Sequence, residues 1–144
     1  STATPIIAGF KLPDTEVVEG GLTFRLPNGQ HTGYIKNVQF HDVNLLVKGG
    51  HPVEDTEAYP PEIGVGRYNV GDLKIQPSFG FWARHVKDFL LDNCSINAEQ
   101  KDGRYAVVLD DVIGAEIKKL KVKEDITDKE NVKALRSKDI DIQK

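Results

Sequence analysis

The sequence predicts an all-β protein whose short strands stack as a right-handed parallel β-helix. Three observations favour this fold: β-branched apolar residues are abundant, apolar positions recur at a nearly constant spacing, and glycine and proline cluster between the apolar stretches. The 144 residues include fourteen valines and eleven isoleucines but no methionine. β-Branched side chains favour strands. A strand repeat that contains no helix is typical of a solenoid.

Length and charge exclude several classes of protein. A chain of 144 residues suits one domain. Nineteen basic and twenty-two acidic residues give a net charge of −3 and are interspersed, so no basic stripe for nucleic acid is present. The longest apolar runs, such as residues 5–10, are too short to span a membrane. A single cysteine, Cys94, excludes an internal disulfide and a multi-cysteine zinc site.

The chain divides into a leader or cap at residues 1–33 and a body of rungs at residues 34–144. The leader contains one clear strand, Leu22–Leu26. From Val38 onward apolar and polar residues alternate, with a break in phase at Asp42, which predicts strands with one buried face. Residues 48–69 then form a polar segment too long for a hairpin connection, and we expect a surface loop.

Further strands are predicted after this loop, and only residues 128–135 suggest a helical turn. The predicted strands are 73–75, 81–86, 89–91, 94–96, 105–109, 116–117 and 120–122.

An internal repeat relates these strands. Residues 86–96 match residues 112–122 at every inward apolar position, with an offset of 26. An offset of 51, interpreted as two repeats, relates Val38 to Phe89, and an offset of 25 relates Ile140 to Ala115. Stacked rungs follow from this spacing. A β-sandwich with strands that are similar by chance is the alternative.

The repeat predicts particular neighbours. Arg84 falls above Asp110 and His85 above Asp111, so we expect an Arg84–Asp110 contact between rungs. Solenoid ends need caps or partners. The last apolar strand, with Ile140, therefore suggests a homodimer joined through the C-terminal rung.

Four segments together resemble the C-terminal rungs of glycoside hydrolase family 28, the polygalacturonase-like pectin hydrolases. They are Val47–Gly50, Glu57–Glu62, Gly80–Asp88 and Asp102–Val112. The resemblance implies a right-handed β-helix, an acidic polysaccharide as partner, and a secreted or periplasmic location. No signal peptide is visible, although residues 1–4 fit the start of a trimmed mature chain.

The motifs that carry catalysis in that family are absent from the matching region. Gly50-His51-Pro52 is not Gly-His-Gly, Arg136-Ser137-Lys138 is not Arg-Ile-Lys, and Asp110-Asp111 follows the histidine instead of preceding it. We therefore assign no catalytic residue and predict a chain that is inactive alone. A structural or assembly module, and a hydrolase with an unrecognised site under the loop, remain alternatives.

Candidate carbohydrate-binding residues are Trp82 and Arg84, which share one face of a strand, with Tyr59 and Arg67 from the loop. An exposed ring stacks on a pyranose, and a guanidinium pairs with a uronate carboxylate. The competing interpretation is ordinary packing of Trp82 under the loop. The four histidines lack metal-ligand spacing, so no metal or other cofactor is predicted. Asp110 and Asp111 are expected to cap a turn and to pair across rungs.

Overall fold

A computed structural model describes residues 5–8, 17–18, 32–62, 73–123 and 131–143. These residues form strands and one short 3₁₀ helix, Val53–Glu57, and contain no α-helix. The strands are β1 (Ile6–Ala8), β2 (Val17–Val18), β3 (Thr32–Gly33), β4 (Ile35–His41), β5 (Asn44–Gly49), β6 (Ser78–Asp92), β7 (Ser95–Gln100), β8 (Tyr105–Lys118), β9 (Lys121–Val122), β10 (Val132–Leu135) and β11 (Lys138–Gln143). The prediction of an all-β protein is confirmed.

All pairings between these strands are parallel. The largest sheet joins β1 and β4 to one side of β6, β8 to the other side of β6, and β10 and β11 to the far side of β8. A three-stranded sheet has the order β5-β7-β9, and β2 pairs with β3. None of the described residues forms a helix that could serve as a membrane-spanning segment.

The predicted register is confirmed at each offset. Val86 pairs with Val112 at an offset of 26, and Ile140 pairs with Ala115 at an offset of 25. Val38 pairs directly with Phe89, so the offset of 51 joins adjacent strands. Its interpretation as two repeats is wrong, because residues 50–77 between β5 and β6 lengthen one repeat. We call this segment the excursion; the structure describes its residues 50–62 and 73–77.

Residues whose backbone adopts the left-handed conformation stack in three columns, and they explain the breaks in the alternation of buried and exposed side chains. Their φ angles lie between 51° and 77°, a region that non-glycine residues rarely adopt. The columns are His85, Asp111 and Arg136; Asn37, Asp88, Gly114 and Asp139; and Asp42, Asn93 and Lys119. Each column has offsets of 25, 26 or 51, so the backbone turns at the same place in successive strands. The break predicted at Asp42 belongs to the third column.

The core lies between the six-stranded and three-stranded sheets. Its buried side chains come from both sheets and include Phe81, Leu91, Ile96, Leu109 and Ile117. Cys94 is buried among them with a reduced thiol, as its inward repeat position predicts.

Several predicted boundaries differ from the structure. The predicted strands 81–86 and 89–91 form one strand, β6, and 105–109 and 116–117 form one strand, β8. Strand β5 continues to Gly49, two residues into the predicted 48–69 loop. Residues 73–75 are not a strand, because Lys74 has a φ of 58° and breaks the extended backbone. Residues 132–135 form β10 in place of the helical turn, since pairing with β8 satisfies their backbone. The predicted strand at 22–26 and most of the 1–33 leader lie outside the described residues.

Candidate functional site

Trp82 lies on the face of β6 opposite the main core. Phe81 and Ala83 point into that core, whereas Trp82 packs with Leu73 and Val108 in a second apolar cluster. Only 1% of Trp82 is exposed. The predicted exposed ring is therefore wrong, because the excursion before β6 supplies Leu73 to cover this face. Packing under the loop, the competing interpretation, describes Trp82.

Arg84 is directed toward the backbone of the excursion. Its Nη1 donates to the Pro60 carbonyl at 2.6 Å and its Nη2 to the Pro61 carbonyl at 3.0 Å. Its guanidinium lies 4.6 Å from the centroid of the Trp82 ring, at cation–π distance. Arg84 is 1% exposed, so it cannot meet a ligand in this arrangement.

The backbone register of Arg84 with Asp110 is confirmed. The Asp110 carboxylate, however, accepts hydrogen bonds from Arg136, which lies between β10 and β11, with Nε to Oδ1 at 2.9 Å and a second, short contact from Nη2. This hydrogen bonding to Asp110 raises the pKa of Arg136 further above its ordinary value. The predicted Arg84–Asp110 side-chain contact is wrong. Arg84 Nη1 and Nη2 donate instead to the Pro60 and Pro61 carbonyls, and Arg136 takes the place of Arg84 at Asp110.

His85 joins three parts of the chain. Its Nδ1 lies 2.7 Å from Asp111 Oδ2, and its Nε2 lies 2.8 Å from Glu62 Oε1. Each ring nitrogen of His85 therefore faces a carboxylate oxygen. The Tyr34 hydroxyl donates to Asp111 Oδ1 at 3.1 Å. Burial, with the charge and hydrogen bond of Asp111, raises the pKa of Tyr34 to about 12.

The Tyr59 ring is the exposed aromatic surface of this region, with 56% of the residue accessible. Arg136 Nη2 donates to the Tyr59 hydroxyl at 2.8 Å, and the Arg136 guanidinium lies 5.2 Å from the ring centroid. Arg84 approaches the same ring at 6.0 Å. An accessible ring and an accessible guanidinium are therefore adjacent, as the candidate site requires, but the guanidinium is Arg136.

Arg136 was missed because its run differs from the family motif. Its signal was the repeat, since the 25-residue offset from Asp111 places it at the equivalent turn, between β10 and β11. The remaining candidate, Arg67, lies outside the described residues.

A buried ion pair anchors both ends of the excursion. Arg104 Nε donates to Asp102 Oδ1 and Arg104 Nη2 to Asp102 Oδ2, both at 3.0 Å. Arg104 Nη1 donates to the Gln76 carbonyl at 3.1 Å, and Asp102 Oδ2 accepts from the His51 amide at 3.2 Å. Burial opposes the ionisation of Asp102, but the hydrogen bonds from Arg104 outweigh it and lower its pKa.

The same anchor excludes a side chain at Gly103. A Cβ there would approach the Val53 nitrogen at 2.5 Å. The excursion therefore packs tightly on the turn before β8.

The two adjacent aspartates pair with different partners. Asp110 binds Arg136, and Asp111 binds His85 and Tyr34. The expected pairing between neighbouring strands holds for Asp111 on β8 with His85 on β6, whereas the partner of Asp110 lies between β10 and β11. The expected turn-capping role stays a prediction.

An open groove of about 470 Å³ lies elsewhere, along the second halves of β6 and β8. Its carboxylates are Asp88, Glu116, Asp139 and Asp141. In the described part of the chain, no group of three or more histidine, cysteine or acidic side chains is arranged to hold a metal ion.

Comparison with known proteins gives no relative. No protein-family model, curated protein or solved structure matches the chain.

Proposed function

We propose that the chain is a right-handed parallel β-helix related to the C-terminal rungs of glycoside hydrolase family 28. Parallel pairing at offsets of 25 and 26 supports this proposal. The three columns of left-handed residues support it as well, because stacked rungs turn at equivalent positions. The alternative, a β-sandwich, is built from antiparallel sheets.

We propose that this protein, acting outside the cytoplasm, binds pectin-type acidic polysaccharide without hydrolysing it. The observation that carries the proposal is the accessible Tyr59 ring with the Arg136 guanidinium against it. The apolar face of a sugar stacks on an aromatic ring, and a guanidinium donates hydrogen bonds to a uronate carboxylate. Asp110 fixes Arg136 in this position.

Binding without hydrolysis follows from the partners of the nearby acidic side chains, Asp110, Asp111 and Glu62. Inverting hydrolysis needs one protonated carboxyl group and one carboxylate that activates water, about 6.5 to 9.5 Å apart. Asp110 is paired with Arg136, and His85 lies between Asp111 and Glu62. Each of these acids already contacts a protein side chain, and we infer that none of them serves as the proton donor.

Calorimetric titration with oligogalacturonate tests the proposal. We expect saturable binding that Tyr59→Ala weakens about tenfold, because the stacking surface is lost. Tyr59→Phe retains the ring and Lys121→Ala removes a distant exposed charge, so both variants serve as matched controls. No reducing ends should appear above a buffer control. Absence of binding contradicts the proposal, and turnover abolished by Asp110→Asn favours the hydrolase instead.

A second candidate function is self-association through the last described strand. Ile142 pairs with Ile117 in register, yet Ile142 is 44% exposed while Ile117 is fully buried. We propose that a second copy covers this apolar position and forms a homodimer. Sedimentation at tens of micromolar should show a dimer that Ile142→Lys dissociates and Gln143→Lys retains. A monomeric wild type contradicts this candidate.

A further inference from the structure

Arg84 and His85 converge on one carboxylate oxygen. Glu62 Oε1 lies 2.8 Å from His85 Nε2 and 3.7 Å from Arg84 Nε. Both side chains are more than nine-tenths buried. Within the described residues, Arg84 Nε has no hydrogen-bond partner. A buried N–H group without a hydrogen bond is costly, so this donor is available to a better-placed acceptor.

Arg84 and His85 both belong to strand β6, and neighbouring side chains hold them in position. Trp82 stacks on Arg84, and Asp111, itself bound by Tyr34, orients His85. Their backbone is part of β6, which is paired on both sides. Glu62, in contrast, belongs to the excursion. The receptor groups are therefore rigid, while the carboxylate between them comes from a separate segment.

We propose that Arg84 and His85 form a carboxylate-binding site and that Glu62 occupies it as an internal ligand. The carboxylate of an acidic sugar, the ligand class taken from the proposed function, competes with Glu62 for the same two donors. Pro60 and Pro61 close the site by accepting from the other Arg84 nitrogens. Displacement of Glu62 leaves Arg84 Nε and His85 Nε2 facing the carboxylate of that sugar.

An intramolecular carboxylate is a strong competitor. A tethered group acts at an effective concentration in the millimolar range or above. Small carboxylates should therefore bind the wild-type site weakly, and removal of the Glu62 carboxylate should make the site accessible to them.

Chemical rescue of Glu62→Ala by acetate tests this inference. The variant should melt at a lower temperature than the wild type, and acetate should restore several degrees in a saturable manner. Sodium chloride controls for ionic strength, and acetamide controls for shape without charge. Glu54→Ala removes an exposed acid from the neighbouring 3₁₀ helix and should show no acetate effect.

Two further variants locate the effect. Glu62→Ala combined with His85→Phe should lose the rescue, because one receptor donor is missing. Glu62→Ser also leaves the site vacant and carries the same titration if Glu62→Ala does not fold. Equal stabilisation of every variant, or of none, by acetate overturns the inference.

Galacturonate separates this inference from the proposed function. If acetate and galacturonate both rescue Glu62→Ala while the wild type ignores oligogalacturonate, the carboxylate site stands and the polysaccharide proposal fails. If the wild type binds oligogalacturonate through Tyr59 but neither acid rescues Glu62→Ala, the polysaccharide proposal stands and the carboxylate site fails.

Discussion

The two halves of strands β6 and β8 have the same parallel backbone pairing but differ in how much of their outward-facing side chains is exposed. In the first halves, residues 78–84 and 105–110, nearly every side chain is buried on both faces of the sheet. In the second halves, residues 86–92 and 112–118, buried and partly exposed positions alternate. We call these the covered and the open segments. Among the described residues, the excursion packs on the covered segments through Leu73, Pro60 and Pro61.

This difference shows where a site can be built. A sheet face that is covered must satisfy the polar groups beneath the cover, which explains the concentration of buried charge at Arg84, His85 and Asp110. The open segments need no such pairing, and their outward acids line the groove. Four carboxylates in that groove repel an acidic sugar, whereas Arg84 of the covered segments and Arg136, between β10 and β11, both lie near the Tyr59 ring.

The largest effect is expected for the ion pair that anchors the cover. Arg104→Ala should reduce the free energy of unfolding by about 3–5 kcal/mol, because Asp102 is left buried without its partner. Urea denaturation measures this loss. The matched change in the open segments is Lys118→Ala, which breaks an exposed pair with Glu116 and should cost less than about 1 kcal/mol. Equal losses in the two variants contradict the comparison.

The next effect concerns outward apolar residues. Trp82→Ala should cost about 3 kcal/mol, because the ring is enclosed although it points away from the main core. Leu90→Ala removes an outward side chain from the open segment of the same strand and should cost less than about 1 kcal/mol. The same denaturation experiment tests both variants. A small loss for Trp82→Ala indicates that the excursion does not cover this face.

A smaller effect is expected at high pH. The pKa of Tyr34 is raised from 10.0 to about 12 in the folded state. A raised pKa stabilises the fold below pH 10, and that stability is lost as the pH rises toward 12. Denaturation between these pH values should therefore show a decline that Tyr34→Phe reduces. An identical decline in the variant removes Tyr34 as its source.

The sequence predicted the strand stacking well because the repeat is a local pattern. Matching apolar positions placed Val86 beside Val112, and the same spacing placed His85 beside Asp111. Alternation also separated Trp82 and Arg84 from Phe81 and Ala83. These relations depend on residue type and spacing alone, so one sequence contains them.

The site was harder to predict because it depends on where the excursion folds back. Alternation assigns Trp82 to a face but does not say what covers that face. Glu62 reaches His85 through tertiary contact over 23 residues, which no periodicity indicates. The run from Phe79 to Ala83, apolar on both faces, was the available sign of a cover, since strands buried on both sides lose their alternation.

The central claim, that acidic sugar binds at the covered segments, is tested most directly by following backbone amide resonances during titration with oligogalacturonate. The account predicts saturable shifts at Tyr59, Arg84 and Arg136, with Leu90 and Glu116 in the open segments unchanged. Shifts confined to the groove of the open segments, or no shifts at saturating sugar, contradict it.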